Sequence, residues 1–211
     1  EWLYREPAME SLMTGKATAV DTIRIATPAD AAALAAIYAP YVRDTVISFE
    51  MVPPDETQMA ERIQKILPRL PWLVHEADGC VTGYAYAGPH RERAAYRWSV
   101  DAGIYLDSGA HRQGIGTALY RVLFEALRLQ GYHRVYGGIT LPNEASVGLH
   151  EAQGFKPIGV YPEVGYKFGA WRDVGWWGLD LGASSQEPGE PLPFTPEILD
   201  AAKRAAGGGG Q

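Results

Sequence analysis

A mixed α/β domain is the fold class that this sequence predicts, and three observations carry it. Segments with strand and helix periodicity follow one another in the order β-α-α-β-β-β-α-β-α-β-β. In mid-chain a strand passes into a helix through a turn holding two glycines, Gly114 and Gly116, one residue apart. The 211 residues, 46% of them apolar, suffice for one domain with a real core.

Taken in order, "TIRIAT" (22–27) alternates as a short strand. "TPADAAALAAIYAPYV" follows as a helix, with Thr27 as N-cap and Pro28 in the first turn. "VISFE" (46–50) reads as a brief extended piece, and "PDETQMAERIQKIL" spaces Met59, Ile63 and Leu67 along one helix face. "PWLVHEADGCVTGYAYAG" is a hairpin turning at Asp78-Gly79, where both residue types tolerate positive φ. "YRWSVDAGIYL" (96–106) is the strand before the glycine turn. Beyond the turn, Leu119, Val122, Leu123, Ala126 and Leu127 share a helix face that Gly131 terminates. "RVYGGIT" (134–140) is a strand. A helix starts near Asn143 and stops at Gly154, and strands near 156–167 and 174–181 complete the domain. The expected organisation is an N-terminal extension over 1–21, a domain over 22–182 and a flexible tail over 183–211, rich in Pro, Gly and Glu, with a helical turn or two over "PEILDAAKRAA".

Composition excludes several classes. A formal net charge of −6 argues against nucleic-acid binding, which needs a basic face. The single cysteine, Cys80, precludes an internal disulfide and a cysteine-cluster metal site; it points to a reducing, cytoplasmic compartment, with packing as its own role. No apolar run is long enough to span a bilayer. The first twenty residues lack the apolar core of a secretory leader, and Met13 is an alternative start.

The glycine turn, "AHRQGIGT" (110–117), invites an anion, because a helix N-terminus leaves N–H groups unpaired. A nucleotide P-loop would need Gly-Lys-Ser/Thr, and no lysine is present. A dinucleotide fingerprint would need glycine where Leu119 stands. A third pattern, the pyrophosphate loop of acyl-CoA-dependent N-acyltransferases (Gln/Arg-x-x-Gly-x-Gly/Ala), fits Gly114 and Gly116 but has His111 in its first position. A plain strand-to-helix turn is the fourth reading. One strand and one helix later comes a second block, Asn143 followed by His150-Glu151-Ala152-Gln153-Gly154-Phe155, in the order such acyltransferases use.

With "IYAPYVRDTVISFE", "GYAYAGPHRERAAYRWSVDAGIYL", "GITLPNEASVGLHEAQGF" and "EVGYKFGAWRDVGWW", the chain resembles the phosphinothricin/methionine sulfoximine N-acetyltransferase branch of the GNAT superfamily over residues 22–181. The resemblance implies an α/β fold with a mostly antiparallel sheet, flanked by helices and holding a splayed central strand pair. It implies acetyl-CoA as co-substrate and no metal. The backbone of Arg112, Gln113, Gly114, Ile115, Gly116 and Thr117 would hold the pyrophosphate. Ile104, Tyr105 and Leu106 would line the pantetheine arm, with an N–H there for the oxyanion, and Asn143 would touch the same arm.

Asp101 stands where relatives carry a glutamate base, and His150 where many acyltransferases place the tyrosine that protonates the thiolate. Arg93, Ala95 and Tyr96 match the acceptor-binding segment, within a basic run that also holds Arg91 and Arg97; Lys167, Trp176 and Trp177 are further pocket candidates. The implied partners are a small amine substrate and a second copy of the chain, with no nucleic acid and no membrane. Two other readings stand beside this one: a non-catalytic acetyl-CoA-binding domain, suggested by His111 and Asp101, and an acetyltransferase for protein N-termini.

Overall fold

Trp72, Leu73 and Val74 are consecutive and all buried, so the strand that carries them is covered on both faces. Side chains alternate across a strand, so Trp72 and Val74 serve one core while Leu73 serves another. In the computed structural model, which describes residues 21–182 and 187–208, these two cores sandwich a seven-stranded sheet ordered β1-β2-β3-β4-β5-β7-β6. The strands are β1 (Thr22–Ile25), β2 (Trp72–Ala77), β3 (Cys80–Pro89), β4 (Ser99–Leu106), β5 (Arg134–Thr140), β6 (Lys156–Lys167) and β7 (Ala170–Asp180). Every neighbouring pair is antiparallel except β4 and β5. The sequence-predicted N-terminal extension and Met13 lie outside the described residues, apart from Asp21.

Helices α1 (Ala31–Arg43) and α2 (Glu56–Ile66) cover the Trp72 face. Helix α3 (Ile115–Gln130) covers the Leu73 face with Leu119, Tyr120, Leu123 and Leu127 fully buried. Helix α4 (Glu144–Ala152) follows β5. Thr27 caps as the sequence predicts, but a 3-10 turn over Pro28–Asp30 precedes α1; the Thr27 N–H donates to Asp30 (2.7 Å), and Asp30 also receives two bonds from Arg24.

Three expectations need correction. "VISFE" forms no strand. Its residues are held by side chains instead: the Ser48 hydroxyl meets Tyr38 at 2.6 Å, Glu50 forms a two-pronged pair with Arg62, and Lys167 donates to the carbonyls of Val42 (2.6 Å) and Ser48 (2.7 Å). The last strand starts at Ala170, four residues earlier than predicted, because Phe168 (φ 52°) and Gly169 (φ 75°) make a two-residue hairpin turn.

The tail is the third. Residues 187–208 are docked rather than flexible, and helix α5 (Pro196–Gly207) packs on α3 with Leu199 and Ala202 buried. Its approach is clamped by the buried Gln130, whose side-chain amide donates to the carbonyls of Arg69 and Leu192, while Phe194 N–H donates to Pro68. Composition marked the segment as polar, but the i, i+3 spacing of Leu199 and Ala202 gives it a narrow apolar stripe that suffices for docking.

Leu199→Ala leaves a cavity between α3 and α5 and is expected to lower stability by about 2–4 kcal/mol. Urea unfolding should show a lower midpoint at unchanged slope; an unchanged midpoint would mean that α5 does not dock.

Candidate active site

Parallel pairing between β4 and β5 stops after three residues, with Ser99, Val100 and Asp101 opposite Arg134, Val135 and Tyr136. Both strands run on, β4 held by β3 as far as Leu106 and β5 held by β7 as far as Thr140. Each follows its antiparallel partner, so the two separate. Gly137 is the first β5 residue past the pairing, and a Cβ there would lie 2.8 Å from the His150 ring. The imidazole thus occupies the space against β5 where the split opens.

The Asp107 N–H reaches back to Thr82 (2.8 Å), so odd-numbered residues of β4 turn their backbone to β3. Ala102, Ile104 and Leu106 therefore direct N–H and C=O groups to the open edge. The Tyr41 hydroxyl closes its far end, donating to the Leu106 carbonyl (2.7 Å) and meeting His111 Nε2 at 3.0 Å. Of the three predicted edge residues, Ile104 and Leu106 face the split. Tyr105 does not: its backbone is paired with Tyr84, and its ring packs in the opposite cluster against Tyr38 (4.6 Å) and Tyr41 (5.1 Å).

Because β4 and β5 are parallel, the helices that follow them begin at the same end of the split. Arg112 (φ 62°) and Gly114 (φ 80°) bend the loop into the first turn of α3, and the αL geometry at Gly114 demands glycine. The N–H groups of Ile115, Gly116 and Thr117 have no partner within the helix. A Cβ on Gly116 would already touch Leu149 (3.4 Å), Ile104 (3.5 Å) and Leu106 (3.6 Å). Gln113 braces the loop from its side chain to Gly109 O (2.7 Å). Asn143 caps α4 by accepting from the Ser146 N–H (3.1 Å), leaving its amide NH₂ uncommitted to that bond.

On the α1/α2 face lies a cleft of about 1010 Å³. Its floor is aromatic, with Trp72, Tyr84 and Tyr86 stacked and Tyr105 beside them; burial pushes the Tyr86 phenol up to about 12. Its wall holds six basic side chains (Arg62, Lys65, Arg69, Arg91, Arg93 and Arg97) against the acids Glu92 and Glu190. Of the three residues expected to touch the acceptor, Arg93 and Tyr96 line the cleft, whereas Ala95, in the same 3-10 turn as Tyr96, is exposed and is not part of the lining. Glu190 comes from the docked tail and pairs with Arg97.

Asp101 is the last β4 residue paired with β5, on the same strand face as Tyr105. Its carboxylate is 2.6 Å from His90 Nδ1, a contact that sequence reasoning missed. His90 lies one residue past β3, which pairs Gly88 with Asp101; only the register could have revealed it. Burial pushes the Asp101 carboxyl above its usual range, against the opposing pull of the His90 bond. The His90 ring lies against Tyr136 (4.5 Å), Tyr96 (5.9 Å) and Trp176 (6.1 Å).

Other expected site residues lie elsewhere. His150 is 4% exposed; its Nδ1 donates to the Ser146 carbonyl (2.8 Å) and its Nε2 accepts from the Tyr120 hydroxyl (3.1 Å). Burial lowers its pKa, so the ring stays neutral with both nitrogens engaged, and it supports the split rather than facing it. Lys167 is buried in its clamp on Val42 and Ser48 and does not line the cleft. Trp176 faces His90 and Arg91, whereas the adjacent Trp177 points to the other core and donates to Glu151 (3.2 Å). Cys80 is exposed at the β2–β3 turn rather than packed, roughly 26 Å along β3 from the level of Asp101, too far to act as a nucleophile. Among the described residues no group of side chains could hold a metal ion, and no helix is long and apolar enough to cross a membrane.

Residues 23–176 match the acetyltransferase (GNAT) domain family. The chain is 38% identical over 174 residues to the phosphinothricin N-acetyltransferase of Streptomyces viridochromogenes, covering 82% of this chain and 93% of that one. It is 35% identical to the L-methionine sulfoximine/L-methionine sulfone acetyltransferase of Salmonella typhimurium, over 76% of this chain and 94% of the relative. In structure it is similar to a GNAT superfamily phosphinothricin acetyltransferase from Sinorhizobium meliloti solved in complex with acetyl-CoA, with a TM-score of 0.77 and 35% identity over 81% of this chain and 94% of that one. The open edge at Ala102, Ile104 and Leu106 suits an extended amide-bearing arm, and the bare backbone at Gly114 and Gly116 suits a pyrophosphate.

Gly116→Val drives two extra methyl groups into Ile104, Leu106 and Leu149. It is expected to weaken acetyl-CoA binding at least about tenfold, roughly 1.4 kcal/mol, in calorimetry, whereas Gly116→Ala should bind near normally. Unchanged affinity in a folded valine variant would remove the loop from the binding site.

Proposed function

The chain belongs to the GNAT acetyltransferase family, and on that premise we propose that it acetylates the amine of a small amino acid carrying a second acidic or strongly polar group, of the phosphinothricin or methionine sulfoximine type. The observation that carries this reading is the cleft: six basic side chains over an aromatic floor, in a chain of net charge −6. Guanidinium groups bind carboxylate and phosphinate in forked pairs, and Arg91, Arg93 and Arg97 sit together on one wall. The aromatic floor suits the acceptor's short aliphatic stem.

Acetyl-CoA supplies an activated acetyl thioester. The first turn of α3 binds its pyrophosphate, the open edge of β4 aligns the arm, and Asn143 adds a side-chain amide. An N–H of that edge meets the negative charge that develops on the thioester oxygen. The acceptor arrives as an ammonium ion at neutral pH and must lose a proton before it can attack. Asp101, at the junction of split and cleft, is the carboxylate that manages that proton. Acetylation takes place in the cytoplasm, and tolerance to phosphinothricin is the phenotype that it confers on a host cell.

A thiol-release assay with acetyl-CoA across amino acids, phosphinothricin, methionine sulfoximine and short peptides tests the acceptor class. Turnover is expected with the small diacidic or sulfoximine-type acceptors, and turnover with peptides alone would overturn the reading. Asp101→Asn should lower kcat by about two to four orders of magnitude while leaving acetyl-CoA affinity unchanged; a near-normal rate would remove Asp101 from the chemistry.

The assembly is a homodimer. β6 is the edge of the sheet, and with β7 it exposes Ile158, Val160, Val164, Tyr166, Phe168 and Trp171 together. Among the described residues no strand pairs with the outer side of β6, and an apolar edge of this extent is a liability in a monomer and suits a second copy. Light scattering after gel filtration should give twice the mass of one chain. Val164→Asp combined with Trp171→Glu should give a single-chain mass; a monomeric parent protein would end the proposal.

A further inference from the structure

We infer that His90, rather than the Asp101 carboxylate behind it, is the group that takes the proton from the acceptor amine, with Asp101 as its positioning partner. The inference deepens the proposed acetyl transfer and rests on it.

Three observations carry it. The cleft is lined by His90 but not by Asp101. The 2.6 Å contact joins Asp101 to Nδ1, and an ionised carboxylate can only accept, so Nδ1 bears a hydrogen and, in the neutral ring, Nε2 bears the lone pair. Nε2 has no hydrogen-bond partner among the described residues, and the ring is held at fixed orientation by Tyr136, Tyr96 and Trp176. A base oriented through its far nitrogen by a half-buried carboxylate is the arrangement that other acyl-transfer sites use. The groups facing the pair are Tyr86 from β3, Tyr136 from β5, Trp176 from β7, and Arg91 and Tyr96 from the segment after β3. Arg91 is the cation whose charge acts on Asp101, and its guanidinium is over Trp176 (5.8 Å).

In the step itself, an N–H bond of the acceptor ammonium breaks and an Nε2–H bond forms, leaving a neutral amine and an imidazolium paired with Asp101. The amine nitrogen then forms its bond to the acetyl carbon as the carbon–sulfur bond breaks. The nitrogen's second proton goes to the departing thiolate, and Nε2 returns its own proton to solvent through the open cleft.

The test uses the full chain and an acceptor that the parent enzyme turns over. His90→Asn keeps a donor for Asp101 but removes the base, and should lower kcat/KM for the amine by about 10²–10³ at neutral pH, with acetyl-CoA affinity within twofold of the parent. The deficit should shrink as pH rises towards the acceptor's own amine pKa, where free amine no longer needs a base. In His90→Ala, added imidazole should restore part of the rate. A deficit independent of pH together with no rescue by imidazole would reduce His90 to a packing residue and overturn the inference. So would a normal rate in a folded His90→Asn or His90→Gln enzyme while Asp101→Asn is impaired. Lack of turnover in the parent enzyme with any amine would count against the acetyl-transfer reading instead.

Discussion

The active centre depends on one mismatch of allegiance between strands. β4 is bound along its length to β3 and β5 along its length to β7, and the two inner strands share only three paired positions. The backbone groups left open past Asp101 belong to the interior of the sheet, where neighbouring strands satisfy everything else. They are fixed in direction by the ladder behind them, so an incoming extended ligand meets donors and acceptors that need no reorganisation. Gly137 and His150 act together here: the ring fits against β5 only because no Cβ intervenes.

The same split distributes labour between the faces of β4. Even-numbered side chains Ile104 and Leu106 pack towards the first turn of α3, next to Gly116. Odd-numbered Asp101 and Tyr105 lie on the side of the basic, aromatic cleft. The two faces of one strand therefore meet different surroundings, and Asp101 stands at the last position before the split opens. Charge follows the division, with arginines concentrated on the cleft wall and unpaired N–H groups at the helix start.

Local pattern made much of this legible. Periodicity located all seven strands and the four helices of the domain, and glycine spacing located the loop, because those features are written in consecutive residues. What escaped depended on register or on distant packing. His90 meets Asp101 because Gly88 pairs with Asp101 across β3 and β4, and no property of either residue announces that. Lys167 reads as a pocket cation in sequence, yet its ammonium is consumed by the carbonyls of Val42 in the last turn of α1 and Ser48 in the loop after it. His150 occupies a motif position suited to proton transfer, and its burial against Tyr120 and Phe155 is visible only once α4 is placed. The tail misled for the opposite reason: its composition is that of a linker, while a few apolar residues, Phe194, Leu199 and Ala202, and the bonds from Gln130 and Trp98 anchor it.

That anchored tail also separates two evolutionary problems. Glu190 reaches the cleft rim from a segment that belongs to neither the sheet nor the helices bearing the loop. It is held by Gln130, by the Trp98 indole on Gly189 and by the buried stripe of α5. Changes within residues 187–194 can therefore alter the size and charge of the cleft rim while the strand that bears Asp101 and the glycine loop keep their sequence. The rim becomes adjustable by drift in an accessory strap, a less disruptive route than rebuilding a strand held along its length by its neighbour.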